Sequence, residues 1–159
     1  MIRKTKVGNT MNCFNYTKQE NQCLSEKDIK HRILVIKINK RYREGMDKTD
    51  LYNSVRGVWR ISKDRVREIE YVFGVYKSVI VAVYRPSQWF VCKEALDNLP
   101  RQDVNLTPNY EDRLFFIDEC YEHGEYPDEN EEFYLGKSIE LFKKNQKAQN
   151  PVTYLYPMQ

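Results

Sequence analysis

Residues 56–89 read RGVWRISKDRVREIEYVFGVYKSVIVAVYRPSQW, and the middle of this stretch decides the fold. Two apolar runs, YVFGVY at 71–76 and VIVAVY at 79–84, are separated only by Lys77 and Ser78. Val, Ile, Phe and Tyr fill both runs. These residues fit a pleated, half-buried surface, and a two-residue gap between such runs is hairpin spacing. Side chains alternate along a strand, so Tyr71, Phe73 and Val75 share one face and Val72, Gly74 and Tyr76 the other. In the second run Val79, Val81, Val83 and Arg85 alternate with Ile80, Ala82 and Tyr84. Both faces are largely apolar, which predicts a central or barrel-forming hairpin and not a solvated flap. Gly74 and Ala82 are small positions where another backbone or a ligand can approach closely. Pro86 ends the second strand, and the only two tryptophans, Trp59 and Trp89, flank the hairpin.

Outward from the hairpin, three further strands are predicted. Residues 33–39, ILVIKIN, read as a buried strand; 113–118, RLFFID, and 152–156, VTYLY, read as two more. Three short helices are expected. One follows Asp47 as N-cap and stops at Gly57, with Leu51 and Val55 as i,i+4 partners. The second follows Ser62, with Val66 and Ile69 as its apolar stripe, and the third covers KSIELFKK at 137–144. Residues 39–45, NKRYREG, form a basic loop carrying Lys40, Arg41 and Arg43. The turn-rich segment 94–110 is a long connection of the kind that often carries function. Residues 119–132, ECYEHGEYPDENEE, read as an exposed, mobile acidic loop, and 1–30 as a flexible N-terminal arm before one domain spanning 31–159. No βαβ alternation or repeat is visible. The element pattern therefore favours an α+β class, with a small, partly open barrel of about five strands and short flanking helices.

Composition narrows the function classes. Of 159 residues, 41% are hydrophobic and 31% charged, enough for a core and too apolar for a disordered chain. The net charge of +3 conceals a division along the chain. Residues 30–93 hold fifteen Lys and Arg against six Asp and Glu; residues 109–140 hold eleven Asp and Glu against Arg113 and Lys137. A cationic half concentrates phosphate polyanions, unless the two segments neutralise each other across the fold. Cys13, Cys23, Cys92 and Cys120 form no C-x-x-C pair, and neither His31 nor His123 is spaced to complete a metal site. The residues thus imply no metal and no cofactor. The N-terminus lacks an apolar signal region and no apolar run reaches membrane-spanning length, so a cytoplasmic protein with no membrane partner is expected.

Hydrolase, metalloprotease and nucleotide-fold motifs are absent, and catalysis finds no support in the residues. Binding chemistry finds more. Arg56, Trp59, Arg60, Lys63, Arg65 and Arg67 crowd guanidinium and aromatic groups just before the hairpin, and Trp89 follows it. Aromatic rings that stack a base, with arginine for a phosphate or base edge, are the parts nucleobase recognition uses. The candidate site is therefore Arg56, Trp59, Arg60 and Arg65, with Tyr76 at the turn and Trp89 beyond it.

The strings ILVIKINKRYREG, LYNSVRGVWRIS, EYVFGVYKSVIVAVYRPSQW, FYLGKSIELF and AQNPVTYLY together resemble a small bacterial PUA-like domain related to the EVE and ASCH domains. The resemblance covers residues 32–156. It implies a pseudo-barrel whose cleft binds RNA or a modified DNA base, in RNA modification or in defence against foreign DNA. It adds Asn150, a polar group before the closing strand, to the candidate site. Relatives of this kind are also fused to GIY-YIG-type nuclease modules. No such module precedes the domain in this sequence, so any cleavage would come from a protein partner. Two alternatives stand beside the non-catalytic nucleic-acid binder. One is an enzyme acting on RNA or a nucleotide in the same cleft. The other is a protein-interaction module using the acidic stretch 119–132, which would pair Arg56, Arg60 and Arg65 with that stretch.

Overall fold

The hairpin forms as its sequence predicts. Strands β3 (Tyr71–Tyr76) and β4 (Val79–Tyr84) pair antiparallel, and Lys77 and Ser78 both take left-handed conformations, with φ of 47° and 70°. Two successive left-handed residues make the tight turn whose twist matches the flanking strands. The structure, a computed structural model, describes residues 22–101, 103–145 and 151–158. The strict alternation predicted for β4 is broken once. Gly74 pairs with Ala82 but Val75 with Ile80, which leaves Val81 as an extra, bulged residue. Consequently Ile80 and Val83 join one core face, while Val81, Ala82 and Tyr84 join the other.

Among the described residues seven strands build two sheets, and the class is α+β. In the larger sheet β1 (Ile33–Lys37) runs parallel to β3 and antiparallel to β7 (Val152–Leu155), giving the order β4-β3-β1-β7. The smaller sheet is antiparallel, with β6 (Leu114–Ile117) between β2 (Gly57–Trp59) and β5 (Gln88–Val91). Among the described residues no strand pairing joins one sheet to the other, so these strands do not close into a barrel. The five strands expected from apolar runs are all present. The two further strands are β2, a piece of three residues, and β5, which starts two residues after Pro86.

The first helix, α1 (Lys48–Arg56), begins where expected: the Asp47 side chain accepts from the Thr49 amide at 2.6 Å. Helix α2 (Lys63–Val66) keeps only the first turn of the predicted segment. The third predicted helix is a 3-10 segment at Glu140–Asn145. Its first residues are engaged elsewhere: the Ile80 amide donates to the Lys137 carbonyl and the Ile139 amide to the Ser78 carbonyl. That backbone covers the outer edge of β4, an edge that would otherwise present unpaired groups.

Half of the acidic stretch is exposed, as expected, but it is not a loop throughout. It folds into α3 (Glu119–Glu122) and α4 (Glu129–Tyr134), capped by Asp118 and Asp128. Asp128 and Glu131 form a reciprocal capping box, and Glu131 and Tyr134 are each 1% exposed. Tyr121 and Tyr126 pack with Tyr84 at ring separations of 5.3 and 5.7 Å. Alternating tyrosines among the carboxylates supply the apolar face that buries these helices.

Three layers of core follow from the strand faces. Ile33, Val35, Tyr71 and Phe73 pack against Leu24, Ile29, Tyr134 and Ile139. On the other face Leu34, Ile36 and Val72 meet Tyr52 and Val55 of α1 and Phe116 of β6. Behind β6, Phe115 packs with Val58, Cys92 and Val104. Each fully buried Ile, Val or Phe here stabilises the fold by about 1.5–3 kcal/mol. The space over Gly74 is filled by α1: a Cβ there would lie 2.6 Å from Val55 Cγ2. Of the expected N-terminal arm, residues 1–21 lie outside the described residues, and Leu24 and Ile29 are buried. No helix among the described residues is long and apolar enough to cross a membrane.

Candidate functional site

The two tryptophans come onto one sheet. Trp59 stands opposite Leu114 across β2 and β6, and Trp89 opposite Phe116 across β5 and β6. Residues directly opposite share a face, and Leu114 and Phe116 are two apart, so both indoles project to the same side. That side packs toward the larger sheet, where both rings lie half-buried against the core. Trp59 Nε1 donates to the Val55 carbonyl at 2.7 Å. Trp89 Nε1 is buried with no hydrogen-bond partner among the described residues, its ring 5.1 Å from that of Phe116.

The remaining expected residues fall in separate neighbourhoods. Arg56, half-buried at the end of α1, donates to Asn53 Oδ1 at 2.8 Å and to the Phe116 carbonyl at 3.4 Å. Burial holds its pKa below the usual arginine value. Arg60 is exposed. Arg65 lies 3.6 Å over the Tyr154 ring and donates to the Tyr156 hydroxyl at 3.0 Å, which places it beside β7. Tyr76 stacks on Tyr42 at 4.7 Å beside the hairpin turn. Asn150 lies outside the described residues. Among the described residues Arg56, Arg60 and Arg65 form no ion pair with the acidic stretch, although the Glu122 charge acts on Arg56. Among the described residues, the ion pairs linking the two charge blocks are Arg85–Asp128 and Lys93–Asp112, both at 2.9 Å.

Another group of cations gathers elsewhere. Between β1 and α1 the chain leaves the sheet as the basic loop expected at 39–45. Lys40, Arg41 and Arg43 from this loop line an open cleft of about 640 Å³ with Arg101, which arrives from the long connection after β5. Pro100 and Met46 give it apolar wall, and Asp50 and Asp103 are its carboxylates. Arg101 is held in place. It donates to the carbonyls of Asn53, at 3.2 Å, and of Gly57, and its Nε donates to Asp103 Oδ1 at 3.1 Å. Burial, and next the neighbouring Arg41 charge, hold its pKa below the usual arginine value. The fold brings the basic loop and Arg101 together across some sixty residues of sequence. The loop was legible as a basic segment and 94–110 as a long connection; nothing local in the sequence joins them.

A second polar cluster runs from the half-buried Arg85 inward to the buried Asp118 and Glu131. Arg85 donates to Asp128 at 2.9 Å and to Cys120 Sγ at 2.8 Å, and its amide donates to the buried Asp118. Glu131 Oε1 accepts from the Asp128 amide, whereas Oε2 is buried without a partner among the described residues. Burial, reinforced by the Asp128 and Asp118 charges, pushes the Glu131 carboxyl up to about 7. A group in that range can move protons, yet at 1% exposure no substrate reaches it. Cys92 is in the core and His123 is exposed, so these two do not form a nucleophilic thiol–imidazole pair. Among the described residues no three His, Cys, Asp or Glu side chains are grouped to hold a metal ion.

Comparison of the chain with models of protein families, with curated proteins and with solved structures finds no match.

Proposed function

We propose that the chain is a non-catalytic nucleic-acid-binding domain whose contact surface is the cleft between the 39–45 loop and Arg101. One observation carries this reading: four cations line a single open cleft against two carboxylates, and one of the cations is fixed by main-chain carbonyls before any ligand arrives. Phosphate backbones bind such surfaces by releasing counterions, and a guanidinium already held in position loses little freedom on binding. A cleft of about 640 Å³ is in the size range of small-molecule pockets and suits a nucleotide unit of a longer strand.

The PUA-like pseudo-barrel belongs to the same proposal. It is supported by the shared core in which Phe116 of the smaller sheet packs against Leu34 and Val72 of the larger. On this reading the domain recognises RNA or modified DNA in the cytoplasm and leaves any cleavage to a protein partner.

The test is a salt titration of binding to a ten-nucleotide single strand, followed by fluorescence anisotropy. With three to four phosphates neutralised, log K falls against log salt with a slope of about −2 to −3. A folded protein that binds no oligonucleotide at low salt would remove the proposal.

A further inference from the structure

The cleft is cationic but not uniformly so, and its exception is informative. Asp103 is occupied by Arg101. Asp50 is exposed, lines the cleft, and forms no ion pair among the described residues. Its place in the first turn of α1 suits the helix dipole, but the cap of that helix is already supplied by Asp47. A free carboxylate within a phosphate-binding cleft repels phosphate. It is compatible with a polyanion only if the ligand presents a hydrogen-bond donor at that point.

From this mixed lining we infer that Asp50 is a specificity-determining residue that accepts a hydrogen bond from a ribose 2′-hydroxyl, so that the cleft selects single-stranded RNA over DNA. The inference rests on the cleft being the nucleic-acid surface. Among the donors a strand carries, the 2′-hydroxyl is the one every ribonucleotide presents close to its own phosphate, whatever its base. A carboxylate set among arginines meets it at each unit. A base amine lies farther from the backbone and is present on only some bases. Asp50 stands on a regular turn of α1, where the Ser54 hydroxyl donates to its backbone carbonyl at 2.8 Å.

The experiment compares eight-nucleotide RNA, 2′-O-methyl RNA and DNA of one mixed sequence, binding to the native chain and to Asp50→Ala and Asp50→Asn, with thermal melts confirming that each variant is folded. Native protein is expected to prefer RNA by about tenfold, the worth of a hydrogen bond to a charged acceptor, and 2′-O-methyl RNA, which has lost the donor, is expected to behave as DNA. Asp50→Ala is expected to move the two ligands in opposite directions. RNA binding weakens through loss of the acceptor, and DNA binding strengthens through loss of a repelling charge. Asp50→Asn keeps an acceptor and retains part of the RNA preference. Equal binding of RNA and DNA by native protein overturns the inference, as does an Asp50→Ala effect of the same sign and size on both. Either result leaves the cleft standing as a polyanion surface. Absence of binding by all three ligands instead rejects the cleft itself.

Discussion

Arg101 reaches the carbonyl of Asn53 at 3.2 Å, a contact between the long connection after β5 and the last turns of α1. It closes one wall of the cationic cleft and makes the position of a charged group depend on packing far from the basic loop. The relationship also explains why Arg56 is not part of the open surface. Arg56 takes the Asn53 side chain at 2.8 Å, so the same asparagine serves one arginine by its side chain and the other by its backbone.

Gly74 is a packing position. Because a Cβ would meet Val55 Cγ2 at 2.6 Å, Gly74→Ala is expected to destabilise the fold by about 1–3 kcal/mol. Val55→Ala alone costs about 2–4 kcal/mol through its cavity, and the double variant is expected to be more stable than the sum of the two. Denaturant melts of all four proteins measure the coupling. Strict additivity would show that the helix does not rest on Gly74.

The hairpin turn is stored strain. Lys77 and Ser78 are both left-handed without being Gly or Asn. Replacing them by Asn and Gly is expected to raise stability by about 0.5–1 kcal/mol, after the loss of the Ser78 hydroxyl contact to Glu140. A thermal melt checks the sign.

Much of this was legible. Strands rich in Val, Ile and Phe announce themselves because a sheet buried on both faces needs continuous apolar runs. The Asp47 cap follows from local chemistry, and the turn at Lys77 from the two-residue gap between the apolar runs, against the backbone preference of Lys and Ser. Strand β5 was hidden because Pro86 reads as a stop and Gln88 is exposed, and its pairing to β6 is entirely non-local. Helices α3 and α4 were hidden by their charge density, although Asp128 followed three residues later by Glu131 is a capping-box signature. For the site, the guanidinium groups near the hairpin drew the eye to Trp59 and Trp89. A tryptophan suits a core as well as a rim, and only the strand register shows which way each indole faces.

The two indoles are expected to respond differently. Trp59→Phe removes the hydrogen bond to Val55 and is expected to cost about 1–2 kcal/mol. Trp89→Phe removes a buried N–H with no partner among the described residues, so the benefit offsets the lost ring area and the change stays within about 1 kcal/mol. Chemical denaturation separates them. A larger cost at Trp89 than at Trp59 contradicts this assignment.

Glu131 makes stability depend on pH. Its carboxyl is raised from 4.5 to about 7 in the fold, chiefly by burial and then by Asp128 and Asp118, with Arg85 opposing. The folded state therefore holds a proton that the unfolded chain has released. The stabilisation is complete below about 4.5 and is lost as pH rises through about 7. Between pH 5 and 8 the loss is on the order of 1–3 kcal/mol. Glu131→Gln is expected to flatten this decline, read as the difference in melting temperature between the two proteins across that range. A parallel pH profile in the variant would assign the decline to other groups.

The most direct test of the cleft is charge reversal at its exposed rim. Arg41→Glu with Arg43→Glu leaves the buried contacts of Arg101 intact, so a circular dichroism spectrum and melt matching the native chain are expected first. Anisotropy with a ten-nucleotide RNA should then show affinity lowered at least about tenfold near 100 mM salt. The salt slope should be shallower by about 1.4, or about 0.7 for each lost cation. An unchanged slope and affinity in a folded double variant would contradict the assignment of this cleft as the nucleic-acid surface.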